Sequence, residues 1–261
     1  MTYIFNPKTE GSGIICAIPQ TGRCPNGCED CFFQSGRSYL EPLDEHLPNL
    51  PSVEQAMGRV VRVNDGNDSN VNLILVIEST RPFYKDVFYN TAIPHDFEIF
   101  EAPIVLTANP GQITDVAFNQ VKATKNMMFV RIRTDTWNLK SVVDPAVKYY
   151  TEQGVPVVLT FMAYYAEESI REGQSNLTYL DYKRDRFVPF MNRECYVQRK
   201  RTLNSYWAIT TEMWRKIMSR YEDNNLVYSC GHIEGEKGKS GCKYCGNCLR
   251  EYYATKERMR E

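Results

Sequence analysis

Residues 127–134 read MMFVRIRT, and Asp135 follows. A run of this β-branched and aromatic composition forms a strand, on which successive side chains alternate between two faces. Met128, Val130 and Ile132 then share one face, while Arg131, Arg133 and Asp135 share the other. A flat parallel sheet covered by helices on both sides needs both faces apolar. Charges along one face suit a sheet curved around a polar hollow.

Five further runs of similar character lie at 13–19 (GIICAIP), 71–77 (VNLILVI), 103–109 (PIVLTAN), 155–163 (VPVVLTFMA) and 225–230 (NLVYSC). Helical stretches are expected between them at 53–63, 83–91, 113–123, 142–153 and 210–221. Thr114 and Asp115 provide polar starts for the third helix, and Gly154 a stop after the fourth. The alternation predicts an α/β fold, a partial (β/α)6 barrel of TIM type. In such barrels chemistry sits at the C-terminal ends of the strands. Glu78, Ser79, Thr80 and Arg81 would follow the second strand, and Thr107 and Asn109 would close the third. The barrel is expected over 1–229, with an aperiodic stretch at about 167–206 inserted as a lid, and a cysteine-rich extension over 230–261.

A net charge of -1 and a pI of about 6.4 exclude a global basic field that would draw the chain to nucleic acid or anionic lipid. The first residues lack the pattern of a signal peptide, and LILVI is far too short to cross a bilayer. A soluble cytoplasmic protein with no membrane partner is the expectation. The nine cysteines are bunched, which in such a protein reads as metal binding more readily than as disulfides.

The stretch 21–36, TGRCPNGCEDCFFQSG, follows the first strand and holds Cys24, Cys28 and Cys31. Structural zinc would need a distant fourth ligand. A redox pair would use Cys28 and Cys31 and leave Cys24 unexplained. A ferredoxin-type cluster needs a fourth cysteine. A cubane cluster with one open iron remains.

This CxxxCxxC in the first loop of a βα barrel resembles the radical S-adenosylmethionine (radical SAM) superfamily, over about residues 13–230. The resemblance implies a 4Fe–4S cluster on Cys24, Cys28 and Cys31 whose open iron binds S-adenosylmethionine. It also implies reductive cleavage to a 5′-deoxyadenosyl radical, hydrogen abstraction from a substrate, and an external reductase or flavodoxin-type electron donor. Asp30 stands where the family has an aromatic residue before the third cysteine, and Phe32 and Phe33 come after it. ESTRP at 78–82 stands for the family's glycine-rich GGEP segment after strand two, so Ser79 and Thr80 would hold the cofactor's amino group. TAN at 107–109 is similar to the family's TNG, and RTD at 133–135 falls where strand four contacts the methionyl carboxylate. Phe32, Ser79, Thr80, Thr107, Asn109, Arg133 and Asp135 are thus candidate cofactor contacts, and Arg131, Arg133 and Glu78 candidate catalytic groups. For the arginines, a bidentate clamp on a carboxylate competes with an internal ion network to Asp135 and Glu78.

Cys230, Cys242, Cys245 and Cys248 suit a second, closed 4Fe–4S cluster, with zinc as the alternative and His232 as a substitute ligand. Cys16 and Cys195 read as ordinary buried thiols, with Cys195 held in reserve as a hydrogen donor or extra ligand; His46 and His95 read as structural or surface residues. Between 183 and 201 seven basic residues face two acidic ones, with Tyr182, Phe187, Phe190 and Tyr196 interleaved. That mixture suits a nucleotide or a modified base in nucleic acid, or forms a solvated lid. A small carboxylate-bearing metabolite held by the arginines is the other substrate class. The rival from another class is a non-catalytic zinc or iron–sulfur protein that binds nucleic acid.

Overall fold

The computed structural model describes residues 2–26, 33, 38–108, 121–161, 163–165, 192–200, 205–231 and 241–261. In chain order the elements begin with β1 (Ile14–Ala17), two single-turn helices α1 (Leu43–His46) and α2 (Val53–Ala56), β2 (Val60–Val63), α3 (Leu73–Glu78) and β3 (Val87–Thr91). They continue with β4 (Ile104–Ala108), β5 (Met127–Thr134), α4 (Asp144–Thr151), β6 (Val157–Phe161), β7 (Ala163–Tyr165), β8 (Tyr196–Lys200) and β9 (Ser205–Ile209). The chain ends with α5 (Thr211–Met218), β10 (Val227–Cys230), α6 (Cys242–Cys245) and α7 (Asn247–Arg258).

Seven strands form one parallel sheet in the order β1-β2-β3-β4-β5-β6-β10, curled into a half-barrel. Five of the expected strands stand in place as β1, β4, β5, β6 and β10. The region from 53 to 91 is a correction. Ser52 and Gln55 form a reciprocal cap on α2, but Gly58 at φ +71° ends that turn and Val60–Val63 continue as β2. The expected strand 71–77 is α3, which buries Val76 and leaves Ile74 and Leu75 exposed. The expected helix 83–91 contains β3, whose five residues are all buried. The expected helix 113–123 falls mostly outside the described residues.

On β5 the register slips opposite Ile104/Val105, so that Met127 pairs with Ile104 and Phe129 with Val105. Met128 is the extra residue of a bulge. It joins the concave core beside Phe129, whereas Val130 and Ile132 face outward as expected, and Arg131 and Arg133 face inward.

Two apolar layers result. On the convex side Val61, Val63, Tyr89, Leu106, Ile132 and Leu159 pack under Val76 of α3, Tyr150 of α4 and Trp214 and Ile217 of α5. On the concave side Ile14, Val60, Phe88, Val105, Phe129 and Val158 pack against Cys248 and Tyr252 of α7. Arg258 of α7 donates to the carbonyls of Lys125 and Met127, and Tyr252 donates to Asp86, so α7 fills the hollow near the N-terminal ends of β3 and β5. β7, β9 and β8 form a separate antiparallel sheet. No helix among the described residues is long and apolar enough to cross a membrane.

Candidate functional site

Cys24 is partly exposed on the loop leaving the C-terminal end of β1. Cys28, Cys31 and Phe32 lie outside the described residues. Both flanks of this loop are fastened to the segment that follows β2, Asn64 to Asn70. On the near flank Asn67 Nδ2 donates to the Gly22 carbonyl at 3.1 Å, and Gln20 Nε2 donates to the carbonyls of Asp68 and Val71 at 2.9 and 3.1 Å. On the far flank Phe33 is buried with Ile18, Leu40, Leu43 and Leu47 and lies over Gly66. A Cβ on Gly66 would stand 2.0 Å from the Phe33 ring, so only glycine admits this approach.

The segment is wired internally. Asp68 is 5% exposed and accepts from Thr91 Oγ1 and the Ala92 amide, both at 2.7 Å, and from the Asn70 amide at 2.9 Å. Asn90 Nδ2 donates to the Val63 carbonyl at 2.8 Å, and Asn64 Nδ2 donates to Ser69 Oγ at 3.2 Å. Their side-chain oxygens, Asn64 Oδ1 and Asn90 Oδ1, are buried with no hydrogen-bond partner among the described residues. Sequence reasoning missed this segment. The signal was the β-branched VVRV at 60–63 followed by the turn-forming NDGN at 64–67.

Glu78, Ser79 and Thr80 stand elsewhere. α3 runs back from the C-terminal end of β2 to the start of β3, so its last turn lies at the opposite rim from Cys24. Glu78 is exposed there, Ser79 follows the helix end, and Thr80 Oγ1 bonds the Val76 carbonyl at 2.6 Å and Tyr89 Oη at 2.8 Å. Their expected place at the end of a second strand is therefore corrected. Thr107 lies on β4 in register with Arg131, and Asn109 is outside the described residues.

Arg133, 6% exposed, places Nε 3.2 Å from Asp135 Oδ2. Asp135, fully buried, also accepts from Tyr164 Oη at 2.7 Å, and burial followed by the Asp135 charge holds that phenol well above its usual range. Asn138 clamps the turn, accepting from the Asp135 amide at 2.9 Å and donating to the Arg133 carbonyl at 3.0 Å. Trp137 packs on Tyr164 and Tyr196 with ring centroids 5.6 and 6.2 Å apart, which lays the small antiparallel sheet on the C-terminal end of β5. Of the expected ion network, Arg133 and Asp135 are joined and Glu78 is not part of it.

Arg131, two residues earlier, lies in register with Val158 on the concave side, where α7 packs with Cys248. Burial and then the neighbouring Arg62 lower its guanidinium from the ordinary arginine value. Cys242 and Cys245 occupy the single turn of α6; Gly246 at φ +64° then redirects the chain so that Cys248 falls in the first turn of α7. Asn247 Nδ2 donates to the Ser229 carbonyl at 2.8 Å, holding this start beside Cys230 at the end of β10. A hydrogen bond between Cys230 and Cys245 raises the first thiol and lowers the second, while burial pushes Cys242 up to about 11 and also raises Cys248. Among the described residues no group of three or more histidine, cysteine or acidic side chains converges to hold a metal ion. The donor chemistry of these four neighbouring thiols nevertheless matches a closed zinc site or a cubane cluster. Cys242 also opens to the surface, lining a cavity of about 350 Å³ with Lys243, Arg250 and Tyr253.

Cys16 is buried with Asn6 Nδ2 3.6 Å from its sulfur, and Cys195 is buried in the convex core, away from the hollow. His46 Nδ1 meets the Leu40 carbonyl at 3.0 Å, and His95 pairs with Asp96 at 2.7 Å on the surface; His232 is outside the described residues. Of the basic lid, the Arg193 guanidinium lies 5.3 Å from the centre of the Trp207 ring and Arg199 pairs with Tyr206 across β8 and β9, whereas 166–191 and Arg201 lie outside the described residues. Comparison of the chain with protein-family models, with curated proteins and with solved structures returned no match.

Proposed function

We propose that the chain is a radical S-adenosylmethionine enzyme, with Cys24, Cys28 and Cys31 holding a 4Fe–4S cluster that keeps one iron open. The observation that carries this reading is the three-cysteine loop rising from the C-terminal end of the first strand of a curled parallel sheet, fastened on both flanks to the segment after the second strand. In this reading β1 to β6 are the strands of a partial (β/α)6 barrel of TIM type, extended at one edge by β10.

When bound, the reduced cluster would supply one-electron cleavage of S-adenosylmethionine to a 5′-deoxyadenosyl radical that takes hydrogen from the substrate. The chain's residues hold and enclose the reactants. Asn64 Oδ1 and Asn90 Oδ1, buried without partners among the described residues, are acceptors suited to the ammonium group of S-adenosylmethionine. Asp68 fixes the loop that carries Asn64 by bonding it to the end of β3. Arg133, set by Asp135, offers its charge to a carboxylate at the rim. The β7–β9–β8 sheet, stacked on Trp137, covers that rim and limits water, with a nucleotide or a carboxylate-bearing metabolite as the substrate class beneath it. Cys230, Cys242, Cys245 and Cys248 hold a second cluster, and a flavodoxin-type protein is the electron donor.

Anaerobic reconstitution tests the reading. Brown protein whose reduced-cluster paramagnetic resonance spectrum changes on adding S-adenosylmethionine is expected. Colourless protein that retains zinc alone contradicts it and favours the non-catalytic metalloprotein.

A further inference from the structure

Four strands of the parallel sheet each leave one residue partly exposed while their other residues are buried: Arg62 on β2, Thr107 on β4, Arg131 on β5 and Thr160 on β6. All four are polar, and none of these strands is an edge of the sheet. Side chains two apart on a strand share a face. Val60, Val105, Phe129 and Val158, each two residues earlier, belong to the concave core. The four polar residues therefore stand on the concave side, one step nearer the C-terminal rim. Mid-sheet residues are reached by solvent only where the layer over them stops, so these four outline an open chamber. Its floor is the apolar surface that α7 covers, and it faces the rim where the Cys24 loop begins.

Arg131 is in register with Thr107, and Arg133 with Thr160, which puts a threonine on the strand to either side of Arg131. Thr160 Oγ1 is buried with no hydrogen-bond partner among the described residues. The other two concave guanidinium groups each have a carboxylate. Arg133 has Asp135 at 3.2 Å. Burial works against the Arg62 charge, but Cys16 and Asp65 outweigh it and hold that guanidinium above its ordinary value. Asn6 fixes this corner, with Nδ2 2.5 Å from Asp65 Oδ2 and 3.6 Å from the sulfur of Cys16, the residue in register with Arg62. Arg131 has no ion pair among the described residues. A guanidinium in a partly dry interior without a counter-ion is unfavourable, and an anion that enters offsets it. A carboxylate brings two oxygens with about four lone-pair sites, which two N–H groups of the guanidinium fork and two hydroxyls fill.

We propose that Arg131, Thr107 and Thr160 form the subsite that holds a carboxylate of the substrate, in the chamber beneath the rim. Calling the ligand a substrate rests on the radical S-adenosylmethionine reading; the binding of a carboxylate does not. Arg131 lies two residues deeper than Arg133, so its carboxylate is separate from the one offered to Arg133 at the rim.

The test uses the reconstituted full chain, with propionate labelled with ¹³C at its carboxyl as the probe and the broadening of that resonance as the readout. Arg131→Met is expected to weaken propionate binding about tenfold or more, the loss for a hydrogen bond to a charged group. Arg131→Lys, which keeps the charge and loses the fork, and Thr160→Val are each expected to weaken it about threefold or more. Thr160→Val changes no charge and decides the matter should Arg131→Met not fold. A parent that binds no propionate, or affinities within twofold of the parent in these variants, overturns the proposal. Inorganic phosphate that binds more tightly than propionate overturns the carboxylate class. Propionate binding that persists with S-adenosylmethionine present supports a substrate subsite, whereas displacement makes the subsite the cofactor's own and overturns the assignment. Iron-loaded protein that binds propionate but not S-adenosylmethionine contradicts the radical S-adenosylmethionine reading instead, so the two failures are separable.

Discussion

Arg133, Asp135 and Tyr164 show how one buried charge is made tolerable. The guanidinium has a carboxylate at 3.2 Å, and that carboxylate has a phenol at 2.7 Å. Removing one member of a buried ion pair leaves the other uncompensated, so Asp135→Asn is expected to cost about 3–5 kcal/mol in urea unfolding. Tyr164→Phe removes a hydrogen bond without stranding a charge and is expected to cost about 1 kcal/mol. Equal costs would mean that Asp135 is not the main partner of Arg133. Gly66 poses a different constraint. Gly66→Ala drives a methyl into the Phe33 ring, and overpacking of this kind is expected to cost about 1–3 kcal/mol. Because Phe33 ends the cysteine loop, the same variant is expected to retain less iron after reconstitution, measured by iron analysis. Full iron content would mean that the Phe33 contact does not set the loop.

The helix α7, which the sequence offers only as part of a cysteine-rich extension, acts as a plug. Tyr252 is 1% exposed against Phe88, Val105 and Phe129, and its hydroxyl bonds Asp86 at 3.0 Å. Tyr252→Ala is expected to cost about 3–5 kcal/mol, the range for deleting a large buried aromatic, and to show in thermal unfolding. A cost under about 1 kcal/mol would mean that α7 only rests on the sheet. Helix and strand identities were legible where length or alternation was clear, as in β5 and α4. They failed between 53 and 91, where elements are short. LILVI is apolar at every position and so carries neither a helical nor a strand period, and its helix exposes Ile74 and Leu75. VVRV lies within the expected helix 53–63, but Gly58 at φ +71° stops the helical turn before it and lets Val60–Val63 form a strand.

For the molecule as a whole, the parity of Arg131 and Arg133 on one strand points to a curved sheet, and its concave side receives both, but that side is mainly apolar rather than a polar hollow, with Phe88, Val105, Phe129 and Val158 packed on α7. Sequence order placed Cys24 at the right rim, because that requires only that the loop follow β1. The other wall of the rim was misplaced with the second strand. Glu78, Ser79 and Thr80, expected at the end of a second strand, close the helix α3, while Asn64, Asp68 and Asn90 occupy the neighbouring strand ends. Nor could spacing alone place α7 and its cysteines inside the hollow, since that depends on contacts more than a hundred residues apart, such as Tyr252 with Asp86. The arrangement sets Cys24 on the loop at the C-terminal end of β1, and Cys230, Cys242, Cys245 and Cys248 around the start of α7. The most direct test of the central claim is the yield of 5′-deoxyadenosine from anaerobically reconstituted, dithionite-reduced protein given S-adenosylmethionine, with Cys28→Ala measured beside it. Formation of 5′-deoxyadenosine by the parent and its loss in Cys28→Ala is the predicted result; no product from an iron-loaded parent, or equal product from both proteins, would contradict the account.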